Sequence, residues 1–482
     1  MNVTKVGVRV NVVAAVIVGI IISFITISGL ISSGIAFASD AKSGGTLVFA
    51  RPEEPLGLNG FKISDNGSIW AIEQICDSLI EPDDSGYGLR PALAESWEIS
   101  DDGLVYTFHL RDAKFNTGEP VTIEDVLFSL DKAADPEGYL GFVFPPMKRE
   151  AIDSKTLRMT LEAPFTPLLS AVSLFAAHIV DKETYEADED SFMVNPVCSG
   201  PFKVESFERG NSLDIVRNEH YWGRQSYLDK VEMPYVPESN SRILGLKNGD
   251  YDAINVVPLN QAKALDADPG FILEVSPAFR LDYVYLNHAR PPLDNKDIRL
   301  ALNYAANREA VLAVAFHGFG KIPNSYMPIV SHHCDSVEAI PYDLEKAREL
   351  VANSGYDGTV IEVIAASGDS VARQAAQILQ QGWQEVGLNI EIVEFDMGTA
   401  YGKLEEGDFF SMVSYITSDT NDTDFLAGIQ ADHEVFGGFF SSYNNAQVTE
   451  WIQAAAKLSD SAARADLYCK VQQQVYWDGY SV

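Results

Sequence analysis

Between Arg280 and Gly320 the chain reads RLDYVYLNHARPPLDNKDIRLALNYAANREAVLAVAFHGFG, and its hydrophobic period changes there from two to about 3.6 across a proline corner. Leu281, Tyr283 and Tyr285 alternate with Asp282, Val284 and Leu286, a pattern rich in aromatic and β-branched residues that predicts a strand ending at Asn287. Pro291-Pro292 stops it. Ile298, Ala301, Leu302 and Ala305 then recur at three- and four-residue spacing, the buried face of a helix. Asn307 is placed to cap a second helix with Val311, Val314 and Ala315 turned inward, and Glu309 sits in its first turn where the helix dipole favours negative charge. Gly318 and Gly320 end it. Strand, corner and two helices make one α/β unit.

The rest of the chain continues that alternation. Thr46–Ala50 reads as a buried strand, and Ser64–Ile80 as a helix that Pro82 closes, with Ile69, Ile72, Ile75 and Leu79 on its buried side and Glu73 among its polar positions. Asp102-Gly103 is a hairpin turn between strands at Trp97–Ile99 and Val105–Leu110. Thr122 and Asp125 form a capping box before Val126, Leu127 and Leu130. Beyond Arg280, a helix over Tyr342–Val351 stopped by Gly355, a strand over Val360–Ala365, a helix over Val371–Val386 and a strand over Leu388–Val393 predict a largely parallel sheet covered by helices on both faces. Helices over Gln447–Lys457 and Ala462–Tyr476 lead into Asp478-Gly479, a turn that opens a strand at Tyr480.

A chain of 482 residues exceeds what one core usually serves, so at least two domains are expected. Lys5 and Arg9, the uncharged run from Val10 to Leu30 and Ala36-Phe37-Ala38 form the pattern of a secretory signal peptide cleaved after Ala38, an uncleaved anchor being the alternative. The mature protein would then be free in a periplasm. A formal net charge of -34, spread along the chain, repels nucleic acid and anionic membranes. Cys76, Cys198, Cys334 and Cys469 lack any C-x-x-C spacing; an oxidising compartment permits disulfides, but sequence does not choose among the pairings and buried free thiols fit equally well.

Several runs of residue types then coincide with one family. Leu93-Ala94-x-Ser96-Trp97, Asp102-Gly103-x-x-Tyr106-Thr107-Phe108-x-Leu110-Arg111, Lys114-Phe115 and Pro120-Val121-Thr122-x-Glu124-Asp125-Val126 lie in the first third. Pro164-Phe165-x-Pro167-x-Leu169, Ser199-Gly200-Pro201-Phe202-Lys203 and Asn218-Glu219-x-Tyr221-Trp222 follow, and the Arg280–Gly320 stretch adds Pro291-Pro292-Leu293-Asp294 and Ile298-Arg299-x-Ala301-Leu302. Together they resemble the bacterial extracellular solute-binding proteins of family 5, the peptide-, oligopeptide- and nickel-binding components of ABC importers.

The resemblance implies a two-lobed α/β periplasmic-binding-protein fold, type II and of the three-domain peptide-binding variety, with the ligand cleft between the lobes. It divides the chain into a signal peptide (1–38), lobe I (39–86 and 199–284), an inserted subdomain (87–198) and lobe II (285–482), from which the family's C-terminal return to lobe I is expected to be missing. It implies capture of small peptides or related amine-bearing solutes for a membrane permease and its ATPase subunits, by a protein that is a monomer and not an enzyme. Tyr415-Ile416-Thr417-Ser418-Asp419-Thr420-Asn421-Asp422 resembles the family's W-x-x-D-x-x-D-P stretch, with Ile416 in place of tryptophan and Thr423 in place of proline. Its first acidic position pairs with a peptide's α-ammonium in that family, which marks Asp419, with Asp422 beside it. The same acidic residues also suit an Asx-type turn that binds its own backbone.

Trp70, Tyr283, Tyr285 and Tyr415 are candidates for stacking on a ligand, and Asn287 for a polar contact where the Tyr285 strand ends. No arginine or lysine lies between Arg348 and Arg373, so a clamp on a peptide carboxylate from that strand is not expected. His332-His333-Cys334-Asp335 is the one metal-like run, though adjacent side chains on an extended loop diverge, so neither metal nor cofactor is assigned. A metal-chelate, nickel or haem binder of the same family is the alternative. A secreted hydrolase is the remaining rival, and the sequence holds no G-x-S-x-G, Walker loop or H-E-x-x-H motif for one.

Overall fold

The fold begins with β1 (Thr46–Ala50), whose apolar residues seed a sheet completed only after some 150 residues of intervening chain. The computed structural model describes residues 42–482 apart from 84, 137 and 139, so the expected signal peptide lies outside the described residues. In chain order the strands are β2 (Ile80–Pro82), β3 (Leu89–Pro91), β4 (Ala94–Ile99), β5 (Val105–Leu110), β6 (Met147–Asp153), β7 (Thr156–Leu161), β8 (Phe202–Glu208), β9 (Ser212–Arg217), β10 (Lys230–Pro234) and β11 (Ala253–Ile254). β12 (Arg280–Leu286), β13 (Ile361–Ala366), β14 (Ile390–Phe395) and β15 (Ser411–Thr417) complete the set.

β1 pairs in parallel with β10 and β11, and the sheet runs β11-β1-β10-β9-β8. Between β1 and β8 the chain builds a separate antiparallel sheet, β4-β5-β7-β6, with its own core around Phe108, Leu157 and Met159. The helix Ile123–Ala133 packs on it. Its capping box forms as expected: the Asp125 amide donates to Thr122 Oγ1 (3.3 Å) and the Thr122 amide to Asp125 Oδ2 (2.9 Å).

The second large sheet runs β12-β15-β13-β14. β13 lies parallel to β14 and β15, as the strand-helix alternation predicts, while β12 is antiparallel to β15 and makes the sheet mixed. β12 belongs wholly to this sheet, so the crossing from the first sheet lies before Arg280. The far edge of β12 pairs with the last residues of the chain, Val284 exchanging backbone hydrogen bonds with Val482 (2.9 and 3.2 Å). Arg299 holds that arrangement from the helix Lys296–Tyr304. Its guanidinium donates to the carbonyls of Leu293 (2.8 Å), Asp294 (3.0 Å) and Asp478 (3.0 and 3.2 Å), which gives the Ile298-Arg299 motif a physical reason.

Two local expectations are corrected. The helix expected over Ser64–Ile80 stops at Ile72, because the Gln74 and Ile75 carbonyls accept the Phe202 (3.0 Å) and Gly200 (2.9 Å) amides instead of continuing a helical ladder. A Cβ on Gly200 would stand 2.5 Å from the Ile75 carbonyl carbon and oxygen, so only glycine permits this approach. Val314, expected inside, is 52% exposed, because the helix Arg308–Val314 packs through Val311 and Ala315. The four cysteines, whose state sequence left open, form two disulfides, Cys76–Cys198 beside the Gly200 turn and Cys334–Cys469 onto the helix Ser461–Trp477. Among the described residues no helix is long and apolar enough to cross a membrane.

Candidate functional site

One wall of the site is the short helix Asn66–Ile72, started by Asp65, whose carboxylate accepts the Ser68 amide (2.8 Å). Ile69 and Ile72 face the core, which leaves Trp70 and Glu73, three residues apart and so on one face, turned to solvent. Trp70 is 43% exposed, and the Arg51 guanidinium lies 5.5 Å from its ring centroid. Arg51 is buried, and burial lowers its pKa against the opposing charges of Glu53 and Asp65.

The facing wall comes from β12 and β15. Their register sets Asp282 opposite Tyr415, and Arg280 reaches diagonally so that its guanidinium covers the Tyr415 ring at 3.7 Å. The same guanidinium makes a fork to Asp282 (2.7 and 3.0 Å), which fixes its plane. Burial raises Tyr415, Arg280 opposes the shift, and Glu53 adds to it from the first wall.

After β15 the chain turns, and the turn satisfies itself without Asp419. Ser418 Oγ donates to the Thr420 carbonyl (2.6 Å), the Asp422 amide to Thr420 Oγ1 (3.2 Å) and the Asp424 amide to Asp422 Oδ1 (2.9 Å). The Asx-type geometry is therefore real but uses Asp422. The Asp419 carboxylate accepts no hydrogen bond among the described residues, and neither does that of Glu73.

Burial pushes Asp419 up to about 6. Burial also pushes Glu73 up to about 7, with the Asp419 charge the next cause and Glu81 a third. Glu73 stays accessible to water and is nevertheless walled by protein, the situation of a side chain inside an open cleft. Two carboxylates that accept no hydrogen bond among the described residues thus lie near enough for the charge of Asp419 to raise Glu73. Such a pair favours a cation between them, because the surrounding protein weakens the screening that water would supply.

Of the residues singled out by sequence, Trp70, Tyr415 and Asp419 line these walls, while Tyr285, Asn287 and Asp422 are placed elsewhere. Tyr285 is 1% exposed and packs against Tyr283 at 4.5 Å in the core. Asn287 is buried and donates to the carbonyls of Gly407 and Phe409 (3.1 Å each) while accepting the Ala289 amide (3.1 Å). Asp422 pairs with Arg464 at 3.0 Å. Glu73 and Arg280 were missed, although the three-residue step from Trp70 to Glu73 on a polar helix face was available as a signal. In the His332–Asp335 run, Cys334 is bonded to Cys469, His332 Nε2 lies 3.3 Å from Ser461 Oγ and His333 Nε2 lies 3.2 Å from Asn324 Oδ1. Among the described residues no group of three His, Cys, Asp or Glu side chains is arranged to hold a metal ion.

Comparison with known proteins places the chain in a family. The sequence profile of the bacterial extracellular solute-binding proteins, family 5, matches residues 88–433. The chain is 27% identical over 471 residues to heme-binding protein A of Haemophilus influenzae, covering 90% of this chain and 86% of that one. It is 29% identical over 467 residues to glutathione-binding protein GsiB of Escherichia coli O1:K1, covering 93% and 91%. The structure of the periplasmic binding protein DppA from Helicobacter pylori in complex with the peptide STSA superposes with a TM-score of 0.81 at 26% identity, covering 92% of each chain. These relatives are binding proteins, and the fold they share is two-lobed with mixed sheets. The chain belongs to the bacterial extracellular solute-binding proteins, family 5.

Proposed function

We propose that this protein captures a small peptide or related amine-bearing solute between its lobes and delivers it to an ABC importer. The observation that carries the reading is a pair of carboxylates, Asp419 after β15 and Glu73 after the helix Asn66–Ile72, neither of which accepts a hydrogen bond from the described residues and one of which feels the charge of the other. An ammonium group between them would gain charge-assisted hydrogen bonds from both walls, so the ligand itself would favour the closed arrangement. Trp70 and Tyr415 would bound the ligand with aromatic faces. The haem named for one relative carries anionic propionates, which two carboxylates disfavour. The domain reading that goes with this is lobe I over 39–86 and 199–279, an insert over 87–198 and lobe II from Arg280. Secretion to a periplasm, work as a monomer with permease and ATPase subunits, and capture without chemical turnover of the solute belong to the same proposal.

Native mass spectrometry of the purified protein beside Asp419→Ala tests it. The expected result is a co-purified solute with a basic amine, absent from the variant. A solute retained by Asp419→Ala, or one without a cationic group, would overturn the assignment.

A further inference from the structure

Immediately beyond the Asp419 turn lies a cavity of about 150 Å³ between the insert and lobe II. Phe142, Phe165 and Leu174 supply one wall, and Phe425 and Ile452 the other. The two sides are tied beside it: the Thr166 amide donates to the Ala456 carbonyl (2.8 Å) and its hydroxyl to the Leu458 carbonyl (2.7 Å). Gly428, in the helix Thr423–Ala431, also lines the space, and a Cβ built there would meet nothing within 4 Å. The protein leaves this volume empty where a side chain of its own would fit.

The polar part of the lining is unbalanced. Asp422, Asp424 and Asp432 all contribute to it, and no lysine or arginine does. Arg464, behind the lining, pairs with Asp422 (3.0 Å) and its charge also reaches Asp424, while Asp424 accepts the Tyr468 hydroxyl (2.5 Å) and Asp432 accepts from the Glu434 amide (3.0 Å), Thr449 (3.2 Å) and Gln453 (3.3 Å). Burial and then the Asp422 charge push Asp424 up to about 7, consistent with a site short of positive charge. A cavity of about 150 Å³ admits a guest the size of benzene, and so a short alkyl chain with one small head group.

We propose that this cavity is a side-chain pocket for the captured solute, taking an aliphatic chain that ends in an ammonium or guanidinium group. Phe165 and Phe425 would enclose the chain, and the carboxylates of Asp424 and Asp432 would receive the cationic end. The proposal rests on the amine-capture reading of the neighbouring cleft and adds a second cation-accepting position to it.

Calorimetric titration with Lys-Ala and norleucyl-Ala tests the pocket, because the two differ in the terminal ammonium. The wild type is expected to bind Lys-Ala at least about 10-fold more tightly, the range of a hydrogen-bonded charge. Gly428→Leu fills the cavity and replaces a helical glycine, so it should fold at least as stably as the wild type, and it should bring the ratio close to one. A ratio that survives Gly428→Leu, or a wild type without preference for Lys-Ala, overturns the pocket. Loss of both dipeptides in Asp419→Asn would speak for the cleft reading alone. If no dipeptide binds the wild type, that reading fails for peptides and n-butylammonium followed by ligand-observed NMR decides the pocket. Contact seen with the wild type and lost in Gly428→Leu supports it; no contact, or contact retained in the variant, overturns it.

Discussion

Binding of an amine to this cleft should be coupled to proton release, and the number of protons follows from the two carboxylates. At pH 6 the Asp419 carboxyl, at about 6, is half protonated, and the Glu73 carboxyl, at about 7, holds about 0.9 of a proton. An ammonium ion that needs both groups ionised therefore expels about 1.4 protons at pH 6, whereas one that needs Asp419 alone expels about 0.5. Affinity should fall about 500-fold from pH 7 to pH 5 in the first case and about tenfold in the second. Calorimetry in two buffers of different ionisation enthalpy measures the release directly, and Glu73→Gln should reduce it to the Asp419 share. The same groups act oppositely on the ligand-free protein. Their folded-state values are raised, so the stability they contribute is fully present below the unfolded-state values and is lost as pH rises through about 6 for Asp419 and about 7 for Glu73. Ligand should remove that penalty at neutral pH. Zero proton release at pH 6, or proton uptake, would rule out ionisation of these carboxyls on amine binding.

Two further outcomes concern the frame around the cleft. Gly200→Ala should destabilise the protein by about 3 kcal/mol in a denaturant titration, because its Cβ would lie 2.5 Å from the Ile75 backbone, which cannot move away as a side-chain tip can; a change within error would contradict the close approach. Replacing Cys76 and Cys198 together by serine should cost about 4–5 kcal/mol on the loop-entropy account of a bridge spanning 122 residues, and an unchanged denaturation midpoint would contradict it.

What the sequence disclosed about the fold was whatever depends on neighbouring residues. The Thr122 capping box, the Asn307 cap accepting the Ala310 amide (3.0 Å) and the left-handed Gly355 are decided within a few positions, and each forms as expected. The helix that stops at Ile72 was illegible because its terminator, the Gly200 turn, lies far along the chain, and the disulfide partners are separated by 122 and 135 residues. In the site, an aspartate in a turn reads the same whether it binds its own backbone or points away from it. Only the traced hydrogen bonds divide Asp422, which caps the next helix and meets Arg464, from Asp419, which does neither. Glu73 escaped because its meaning comes from the opposite wall, and a strand of lobe II cannot be laid against a helix of lobe I from periodicity alone. Tyr285 and Asn287 belong to the family-like stretch because they build the β12 environment: the ring fills the core and the amide ties the strand end to Gly407 and Phe409.

Whether the cleft holds an ammonium is decided most directly by the affinity of the co-purified solute measured against its N-acetylated form, which removes the positive charge. Acetylation should cost the wild type at least about 100-fold in affinity, two charge-assisted hydrogen bonds being forfeited, and the Glu73→Gln, Asp419→Asn double variant much less. Equal affinity of the two forms for the wild type would contradict it.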